Sequence, residues 1–371
     1  MNSTPYYRPT YLEIDLQAIY KNIAALQSQL AEQTTLIPVV KANAYGHGAA
    51  RVVQFLEQRG LSLFAVATPD EAVQLRQEGC TSEILVLGIS PHHFLPFAEQ
   101  HNIHLTAHSL DWLLKIPASA KPRLHLKLDT GMGRIGLQSE QEVRQAVTLF
   151  SEHPNWDLQG IYTHFATADE AENPHFTRQL ERFEQWIQLF PERPRYIHAA
   201  NSAAAIQHQH AVFNAVRFGI SMYGIAPSNW MKDNTPFPFR PAMRLVTEIV
   251  QVKQVAKETS IGYGASYTSA EPEWIGTLPV GYADGLLRGL KGLSPIVEEA
   301  RVPIVGKICM DQTMIKLPKE FKVGTKVVLL GSNGVHTIPA EEWAELLQTI
   351  PYEICCQLST RVPRIYPQSD K

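Results

Sequence analysis

The segment Leu36-Ile37-Pro38-Val39-Val40-Lys41 is a short apolar run that ends in a lysine and leads into a glycine-rich turn. An apolar run of this length that contains β-branched residues and is bounded by such a turn is typical of a buried strand. Residues 48–59 follow, and within them Val52, Val53 and Leu56 recur at helical spacing. The stretch therefore predicts a strand, a turn and a helix in succession.

The same pattern repeats along the first two-thirds of the chain. Thr68-Pro69-Asp70-Glu71, for example, opens a helix with a capping residue and a proline at the first helical position. The predicted strand cores are residues 36–41, 63–67, 84–87, 104–107, 124–128, 158–164, 196–200 and 215–219. Eight strands with crossovers long enough for parallel pairing predict an α/β fold, a TIM-type (β/α)8 barrel. A doubly wound open sheet is the alternative, but the glycine fingerprint expected after its first strand is missing.

The sequence pattern changes at the end of the predicted barrel. Thr235-Pro236-Phe237-Pro238-Phe239-Arg240-Pro241 holds three prolines in seven residues, which suits a domain boundary. We therefore assign residues 1–238 to the barrel and residues 239–371 to a mostly β C-terminal domain. The β-type runs are residues 245–255, 274–280, 302–305 and 326–330, and residues 340–347 alone look helical.

Composition sets limits on the class of protein. The 371 residues are 44% hydrophobic and 19% charged, with a formal net charge of −3, so neither a nucleic-acid nor a membrane partner is expected. The N-terminus lacks the layout of a signal peptide, and no apolar run is long enough to span a membrane, so we expect a cytoplasmic protein. The four cysteines have no zinc-ribbon spacing and are expected to be free thiols, and no metal site is predicted.

Polar and cationic residues follow the predicted strands at their carboxyl ends. Catalytic groups of barrel enzymes lie at this end of the barrel. The rim residues are Lys41, the segment 127–134 with Lys127 and Arg134, His164, His198, Asn201, Ser202, Arg217, Gly219 and Ile220.

Lys41 is the first candidate for chemistry. A lysine held against apolar strand residues loses part of the solvation of its charge, which makes its amine a better nucleophile and base. Such an amine is what an aldehyde cofactor needs for covalent attachment. The alternative is a surface lysine just past the end of a strand.

A phosphate site is the second candidate. Phosphate sites in barrels are often built from the loops after the seventh and eighth strands, where Ser202 and Gly219-Ile220 lie. Arg217, in the same region, could face a pyridine nitrogen and keep it unprotonated, which favours return of a proton over transamination. An ordinary turn and a structural salt bridge are the respective alternatives.

Together these segments resemble the alanine racemase family. The similar stretches are residues 40–48, 127–134, 261–265, 281–285, 306–312 and 361–364, and the resemblance extends from about residue 12 to residue 366. It implies a (β/α)8 barrel followed by a β domain, in agreement with the pattern of strands and helices.

The resemblance also implies roles for individual residues. Lys41 and Tyr263 would be the two catalytic acid/base groups, acting on opposite faces of the substrate, with Lys41 also holding pyridoxal phosphate covalently. The positions that match cofactor contacts are Lys41, Tyr45, Ser202, Arg217, Gly219, Ile220 and Tyr352. Arg134 and Met310 match contacts to the substrate carboxylate.

Six further positions match supporting residues of the family. These are Lys127, His164, His198, Asn201, Tyr282 and Asp311. Lys127 matches a lysine that is often carbamylated and helps to position Arg134. By the same resemblance, His164 would link Tyr263 electrostatically to Arg217, and His198 would be a further partner of Arg217. Tyr282 matches an entry-channel tyrosine, and Asp311 would lie near the site of a second subunit.

The biological expectation follows from the same resemblance. The chain would be an isomerase that interconverts L-alanine and D-alanine and supplies D-alanine for cell-wall peptidoglycan. It would act as a homodimer in which Tyr263 and Met310 enter the barrel site of the other subunit.

Three alternatives stay open at this point. One is an amino-acid decarboxylase on a related barrel, which usually has an acidic residue where Arg217 stands. Another is a non-catalytic pyridoxal-phosphate-binding protein, which would lack the β domain that carries Tyr263. The last is a racemase of another amino acid, such as serine, lysine or arginine.

Overall fold

The computed structural model describes residues 6–367. These residues form two compact units. Ala18–Arg240 is called the barrel unit here, and the described residues before Ala18, together with those from Pro241 onward, are called the β unit.

The barrel unit contains the eight predicted parallel strands. Their bounds are Thr35–Pro38, Leu63–Val66, Glu83–Val86, Ile103–Ala107, Arg123–Lys127, Asp157–Tyr162, Tyr196–His198 and Ala215–Phe218. Side chains of these strands are largely buried, which explains why they read as apolar runs rather than alternating ones.

The parallel strands pair around a closed ring. The second to the seventh form one sheet in sequence order, and the first pairs in parallel with the eighth. The first and second strands meet where the N–H of Val40 donates to the carbonyl of Ala65 at 2.8 Å. The seventh and eighth meet where the N–H of Arg217 donates to the carbonyl of Ala200 at 3.0 Å. The predicted TIM-type barrel is thereby confirmed.

Amphipathic helices connect the strands and cover the barrel. Their bounds are Leu16–Gln27, Ala49–Glu57, Pro69–Gln77, Leu95–Gln100, Leu110–Leu114, Glu140–Glu152, Pro174–Ile187, Ser202–Gln207 and Asn229–Asn234. The helix predicted after Thr68 begins as expected. The Thr68 hydroxyl accepts from the N–H of Glu71, and the Glu71 carboxylate accepts from the N–H of Thr68, which is a capping box.

The β unit is built from strands, most of them paired antiparallel, and this agrees with the predicted mostly β domain. Its strands are Thr10–Ile14, Met243–Glu248, Gln251–Val255, Ser260–Ile261, Tyr267–Thr268, Glu273–Leu278, Ile296–Val297, Ala300–Arg301, Ile304–Val305, Thr313–Leu317, Lys326–Ser332, Thr337–Ile338 and Arg364–Ile365. Its helices are Ala340–Leu347 and Pro351–Gln357. The expectation of a single helix was wrong, because Pro351 begins a second one as its first residue.

The N-terminal strand Thr10–Ile14 is part of the β unit. It pairs antiparallel with Met243–Glu248 and parallel with Arg364–Ile365. Sequence analysis assigned residues 1–238 to the barrel, so the structure divides the chain differently at its start. None of the helices within residues 6–367 has both the length and the apolar character that a membrane span requires.

Candidate active site

Lys41 lies at the carboxyl end of the first barrel strand and begins an unusual turn. Ala42, Asn43, Ala44 and Tyr45 all have positive φ, of 52°, 53°, 55° and 49°. The turn is therefore a short left-handed helix made of residues that have side chains. Left-handed helical geometry costs an L-residue about 1–2 kcal/mol. Strain of this kind persists only where neighbouring structure imposes it, and it is concentrated at functional sites.

Several hydrogen bonds hold the left-handed turn. The N–H of Gly46 donates to the carbonyl of Ala42 at 2.9 Å, and the Asn43 side chain accepts from the N–H of Ala49 at 2.8 Å. The N–H of Ala42 donates to the carboxylate of Glu71 at 2.6 Å. The turn leaves Tyr45 buried, with its ring centroid 5.9 Å from Lys41 Nζ.

Two hydroxyl groups and a glycine form a small polar cradle near this turn. Ser202 Oγ accepts from the N–H of Gly219 at 2.9 Å. A Cβ atom on Gly219 would lie 3.0 Å from Tyr45 Oη, so the absence of a side chain permits the close approach. Asn201 caps the helix Ser202–Gln207 by accepting from the N–H of Ala204 at 3.0 Å. Hydroxyl and N–H groups of this kind suit a phosphate dianion.

Ile220 begins a single 3-10 turn, Ile220–Tyr223, directly after Gly219. Backbone N–H groups at the start of a helical turn lack a partner within it and can face an anion. The loops after the seventh and eighth strands thus come together, as the barrel architecture predicts. Tyr352, the remaining predicted phosphate contact, is the second residue of the helix Pro351–Gln357 in the β unit.

Arg217 is a buried cation held by neutral acceptors. Its Nη1 donates to Nδ1 and to the carbonyl oxygen of His198, both at 2.8 Å. Its Nη2 donates to the carbonyl oxygens of Thr163 and Ala199 at 2.8 and 3.0 Å, and to Nδ1 of His164 at 3.2 Å. Burial lowers the pKa of Arg217 to about 10, which leaves it charged at neutral pH.

No carboxylate among residues 6–367 forms an ion pair with Arg217. The described residues therefore do not form the structural salt bridge that was the alternative interpretation of Arg217. The Nε–H of Arg217 also donates no hydrogen bond to any of the described residues. A buried cation with a donor to spare can receive a ligand acceptor.

A chain of three buried histidines extends from Arg217 through the barrel interior. His198 Nε2 lies 2.8 Å from His125 Nδ1, and His125 Nε2 lies 3.1 Å from His104 Nδ1. His104 Nε2 lies 3.6 Å from a carboxylate oxygen of Glu83, at the first residue of the third barrel strand. We call Glu83, His104, His125 and His198 the histidine chain.

Chemistry at its two ends fixes the direction of this chain. Arginine can only donate, so Nδ1 of His198 must accept, and a neutral imidazole then carries its proton on Nε2. By the same argument His125 and His104 each accept at Nδ1 and carry their proton on Nε2. The Nε2–H of His104 then points toward the Glu83 carboxylate. Burial is the main cause that holds the pKa of His125 and of His198 well below the usual range, and it keeps both rings neutral. The adjoining histidine of the chain and the charge of Arg217 act in the same direction. His104 and two arginines lower the pKa of Glu83 to about 2, against the opposing effect of its burial.

Lys127 is a second buried amine. Its side chain is 2% exposed, and Nζ donates to the carbonyl of Leu128 at 2.8 Å. Burial, reinforced by the charge of Arg217, lowers the pKa of Lys127 to about 7, although Asp129 acts in the opposite direction. A substantial fraction of this amine is therefore neutral at physiological pH.

Asp129 shapes the loop that carries Arg134. Its carboxylate accepts from the N–H groups of Gly131, Gly133 and Arg134 at 3.0–3.1 Å. Burial alone would raise the pKa of Asp129, but these hydrogen bonds, with help from Lys127, lower it. The carboxylate is thus committed to its own loop, and the exposed side chain of Arg134 is kept at the rim.

Four basic side chains influence His164. After burial, which is the main cause, the charges of Arg217, Lys127, Arg134 and Lys41 lower the pKa of His164 well below its usual range. Asp129 opposes the effect of Arg217 and Arg134 on the pKa of the Lys127 amine. Such a site favours anionic ligands, for example a phosphate or a carboxylate.

The predicted site residues of the β unit lie at its surface. Tyr263 begins a 3-10 turn after Gly262, whose φ is 75°, and it is 72% exposed. Met310 is 52% exposed and Tyr282 is 37% exposed. Asp311 is paired with Arg361, whose Nη2 lies 2.8 Å from a carboxylate oxygen. Large exposed apolar side chains are candidates for contact with another molecule.

Sequence reasoning missed Glu71 as part of this site and also missed three members of the histidine chain. His104 and His125 occupy consecutive predicted strands, which could have placed them inside the barrel. Glu71 was recognised only as part of a helix start. Its contact with Ala42 joins residues 29 apart and had no local signal.

Comparison with known proteins matches nearly the whole chain to a single family. Residues 14–227 match the family model described as alanine racemase, N-terminal domain, and residues 242–366 match alanine racemase, C-terminal domain. An alanine racemase of Listeria innocua is 46% identical over 364 residues, covering 98% of this chain and 99% of that protein.

Solved structures give the same picture. The alanine racemase of Bacillus anthracis with bound L-Ala-P superposes with a TM-score of 0.94 at 41% identity, covering 99% of this chain and 97% of that one. A histidine racemase of Leuconostoc mesenteroides gives a TM-score of 0.91 at 28% identity, covering 99% of this chain and all of that one.

Proposed function

Because the chain belongs to the alanine racemase family and is therefore an isomerase, we propose that it interconverts L-alanine and D-alanine with pyridoxal phosphate held on Lys41. The observation that carries the proposal is the polar cradle beside Lys41. Ser202 Oγ lies 2.9 Å from the backbone nitrogen of Gly219, a Cβ atom on Gly219 would lie 3.0 Å from Tyr45 Oη, and the Tyr45 ring centroid lies 5.9 Å from Lys41 Nζ. The Bacillus anthracis relative, which binds L-Ala-P, supports alanine as the substrate.

The barrel residues fit the proposed cofactor. Tyr45, Ser202, Gly219 and Ile220 offer two hydroxyls and backbone N–H groups for a phosphate, and Tyr352 is proposed as a further contact. Arg217 has an Nε–H without an acceptor among the described residues, and it would donate to the pyridine nitrogen. Arg217 stands where the decarboxylases usually have an acidic residue, which argues against the decarboxylase alternative.

When bound, pyridoxal phosphate stabilises negative charge at the α-carbon of the substrate. The chain then has to move one proton on each face of that carbon. Lys41 is the proposed base for D-alanine, and Tyr263 is the proposed base for L-alanine. Two fixed groups remove the need for one side chain to cross between the faces, and each such group contributes about 10²–10⁴-fold to the rate.

Tyr263 needs electrostatic support, because a tyrosine hydroxyl is a weak base at neutral pH. We propose that His164, through its hydrogen bond with Arg217, provides that support. The neutral state of His164 is compatible with a role as a hydrogen-bond partner rather than a second charge. His198 holds Arg217 from the opposite side and so fixes its orientation.

Recognition of the substrate is proposed for Arg134 and Met310. Arg134 would pair with the substrate carboxylate, and Asp129 holds the loop from which it projects. A carbamate on Lys127 would supply a negative group to orient Arg134. The low pKa of the Lys127 amine supports this, since only the neutral amine reacts with carbon dioxide.

We further propose a homodimer with shared active sites. The exposed Tyr263 and Met310 would enter the barrel site of the second subunit, with Tyr282 at the entrance and Asp311 nearby. The biological role that fits is supply of D-alanine for peptidoglycan in the cytoplasm. Racemisation of another amino acid is the second candidate, because a histidine racemase is also structurally similar.

The proposal is tested by trapping the cofactor and by chiral analysis. After incubation with pyridoxal phosphate and reduction with borohydride, the wild type should carry the label on the peptide that contains Lys41. Lys41→Ala should lose the label and all turnover, whereas Lys115→Ala, at an exposed lysine paired with Asp111, should retain both. Racemisation by Lys41→Ala would refute the role of Lys41.

A further inference from the structure

Glu71 connects the left-handed turn to the second barrel strand. One carboxylate oxygen accepts from the N–H of Ala42 at 2.6 Å. The other accepts from the N–H groups of Ala67 and Thr68 at 2.7 and 3.2 Å. We propose that Glu71 is a positioning residue that holds this turn in its left-handed form and thereby aims the Lys41 side chain. The inference rests on the proposed role of Lys41.

The turn has a conformational reason to need such a bond. Four consecutive residues with side chains adopt positive φ, and three of them, Ala42, Ala44 and Tyr45, belong to types that rarely do so. The strained residues come directly after Lys41 and include Tyr45, so relaxation of the turn would displace both side chains. Ala42 is the first residue of the strained stretch, and its N–H is the group that Glu71 holds.

Glu71 is itself firmly placed. It is the third residue of the helix Pro69–Gln77, whose Thr68 cap and Pro69 start fix its first turn. That helix packs its buried Ala72 and Leu75 against the barrel. Because the carboxylate is charged, its hydrogen bonds to N–H groups are stronger than bonds between neutral groups. A rigid anchor with a strong acceptor is what a strained turn requires.

The chain contains a matched control for this residue. Glu142 forms the same capping box with Ser139, and its carboxylate accepts from the N–H groups of Gln138 and Ser139 at 2.6 and 3.2 Å. Glu142 therefore reproduces the helix-capping bonds of Glu71 without a bond to a left-handed turn. Any effect of capping alone should appear equally at both positions.

The experiment compares Glu71→Gln with Glu142→Gln. The readouts are the unfolding midpoint without cofactor and the pyridoxal phosphate concentration that half-saturates borohydride-trapped label on the Lys41 peptide. A glutamine side chain has one acceptor oxygen and cannot serve both sets of N–H groups. One carboxylate oxygen of Glu142 accepts both of its bonds, so Glu142→Gln can keep them and should unfold close to the wild-type midpoint. Glu71→Gln gives up one of its two sets of bonds and should unfold at a somewhat lower midpoint. Only Glu71→Gln should bind the cofactor about tenfold more weakly, which is equivalent to about 1.4 kcal/mol.

A second variant tests the cause. Glycine adopts positive φ without strain, so Ala42→Gly added to Glu71→Gln should restore half-saturation to within about threefold of the wild type. If Glu71→Gln does not fold, Glu71→Asp takes its place, because its shorter side chain keeps the charge but cannot span both sets of donors. The same tenfold loss is expected there.

The outcomes separate this inference from the proposed function. A wild type without label on Lys41 would refute the proposed function and the inference with it. A labelled wild type with equal half-saturation in the Glu71 and Glu142 variants would overturn the inference alone. Failure of Ala42→Gly to restore labelling would also overturn it, since strain in the turn would then not be what Glu71 controls.

Discussion

The buried amine of Lys127 provides the most quantitative prediction. Its surroundings lower its pKa from 10.5 to about 7, mainly through burial and secondly through Arg217. At about pH 8, roughly nine-tenths of the Lys127 amines are therefore neutral, against about 1 in 300 for an ordinary lysine. Only the neutral amine adds to carbon dioxide, so Lys127 should form a carbamate, with release of one proton, some hundreds of times more readily than an ordinary lysine.

The assay is a pH series with ¹³C-labelled bicarbonate. Carbamates are trapped by alkylation, and the adducts on each lysine are measured by peptide mass spectrometry. The yield of adduct at Lys127 should rise with pH around the pKa of about 7 and come close to its maximum by about pH 8 to 9. Lys115, exposed and paired with Asp111, serves as the internal reference.

Two results would contradict a lowered pKa for Lys127. One is the absence of an adduct at Lys127 at about pH 8, and the other is a rise that begins only near pH 10, where an ordinary lysine loses its proton. Lys127→Met, which removes the amine but keeps an unbranched side chain, should abolish the adduct and raise KM for alanine, because Arg134 would lose its proposed partner.

Three further predictions concern the second base, the histidine chain and acid stability. Tyr263→Phe should retain borohydride-trapped cofactor on Lys41 but lose about 10²–10⁴-fold in racemisation, measured by chiral chromatography; unchanged turnover would mean that another residue is the second base. Gly160→Ala should destabilise the fold by about 1–3 kcal/mol in urea unfolding, since its Cβ would lie 2.4 Å from His125 Nδ1; an unchanged midpoint would contradict this packing. The folded-state pKa of Glu83 lies below its unfolded value, so its contribution to stability is present above about pH 4.5 and is lost toward about pH 2. Glu83→Gln should flatten that part of the stability curve, and an unaltered curve would argue against the pairing of Glu83.

The barrel was predictable because of the way its strands are buried. Both faces of a parallel strand in a barrel are covered, so each strand reads as an apolar run, and all eight were located. Their ends were less certain. The first was predicted to extend to Lys41 but ends at Pro38, and the seventh was predicted to reach residue 200 but ends at His198. After Pro38 the pairing continues only as an isolated bridge from Val39 to Ala65, and Val40, with ψ of 18°, is no longer extended. Side-chain polarity does not reveal this change.

Pairings between distant segments were not predictable from local patterns. Thr10–Ile14 alternates buried and half-buried residues, as a strand with one covered face does, yet its antiparallel partner Met243–Glu248 lies more than 200 residues away. Several strands of the β unit have only two residues, too short for any periodicity to register. These features depend on tertiary contacts rather than on the sequence of the segment itself.

The candidate site was also predictable only in part. Rim position and resemblance together identified Lys41, Ser202 and Arg217, because the architecture of a barrel places them at one end. The left-handed turn was not foreseen, since Ala42-Asn43-Ala44-Tyr45 contains no glycine to announce positive φ. The link from Glu71 to Ala42 depends on the juxtaposition of two successive strand ends.

We propose that the chain racemises alanine with two bases on opposite faces of the α-carbon. The most direct test incubates L-alanine with the protein in deuterated water, with and without pyridoxal phosphate, and separates the enantiomers early and at equilibrium for mass analysis. We predict cofactor-dependent convergence on equal amounts of both enantiomers, with the earliest D-alanine carrying solvent deuterium at the α-carbon. Absence of D-alanine would contradict the proposed reaction, and early D-alanine that retains the original hydrogen would contradict the two-base mechanism.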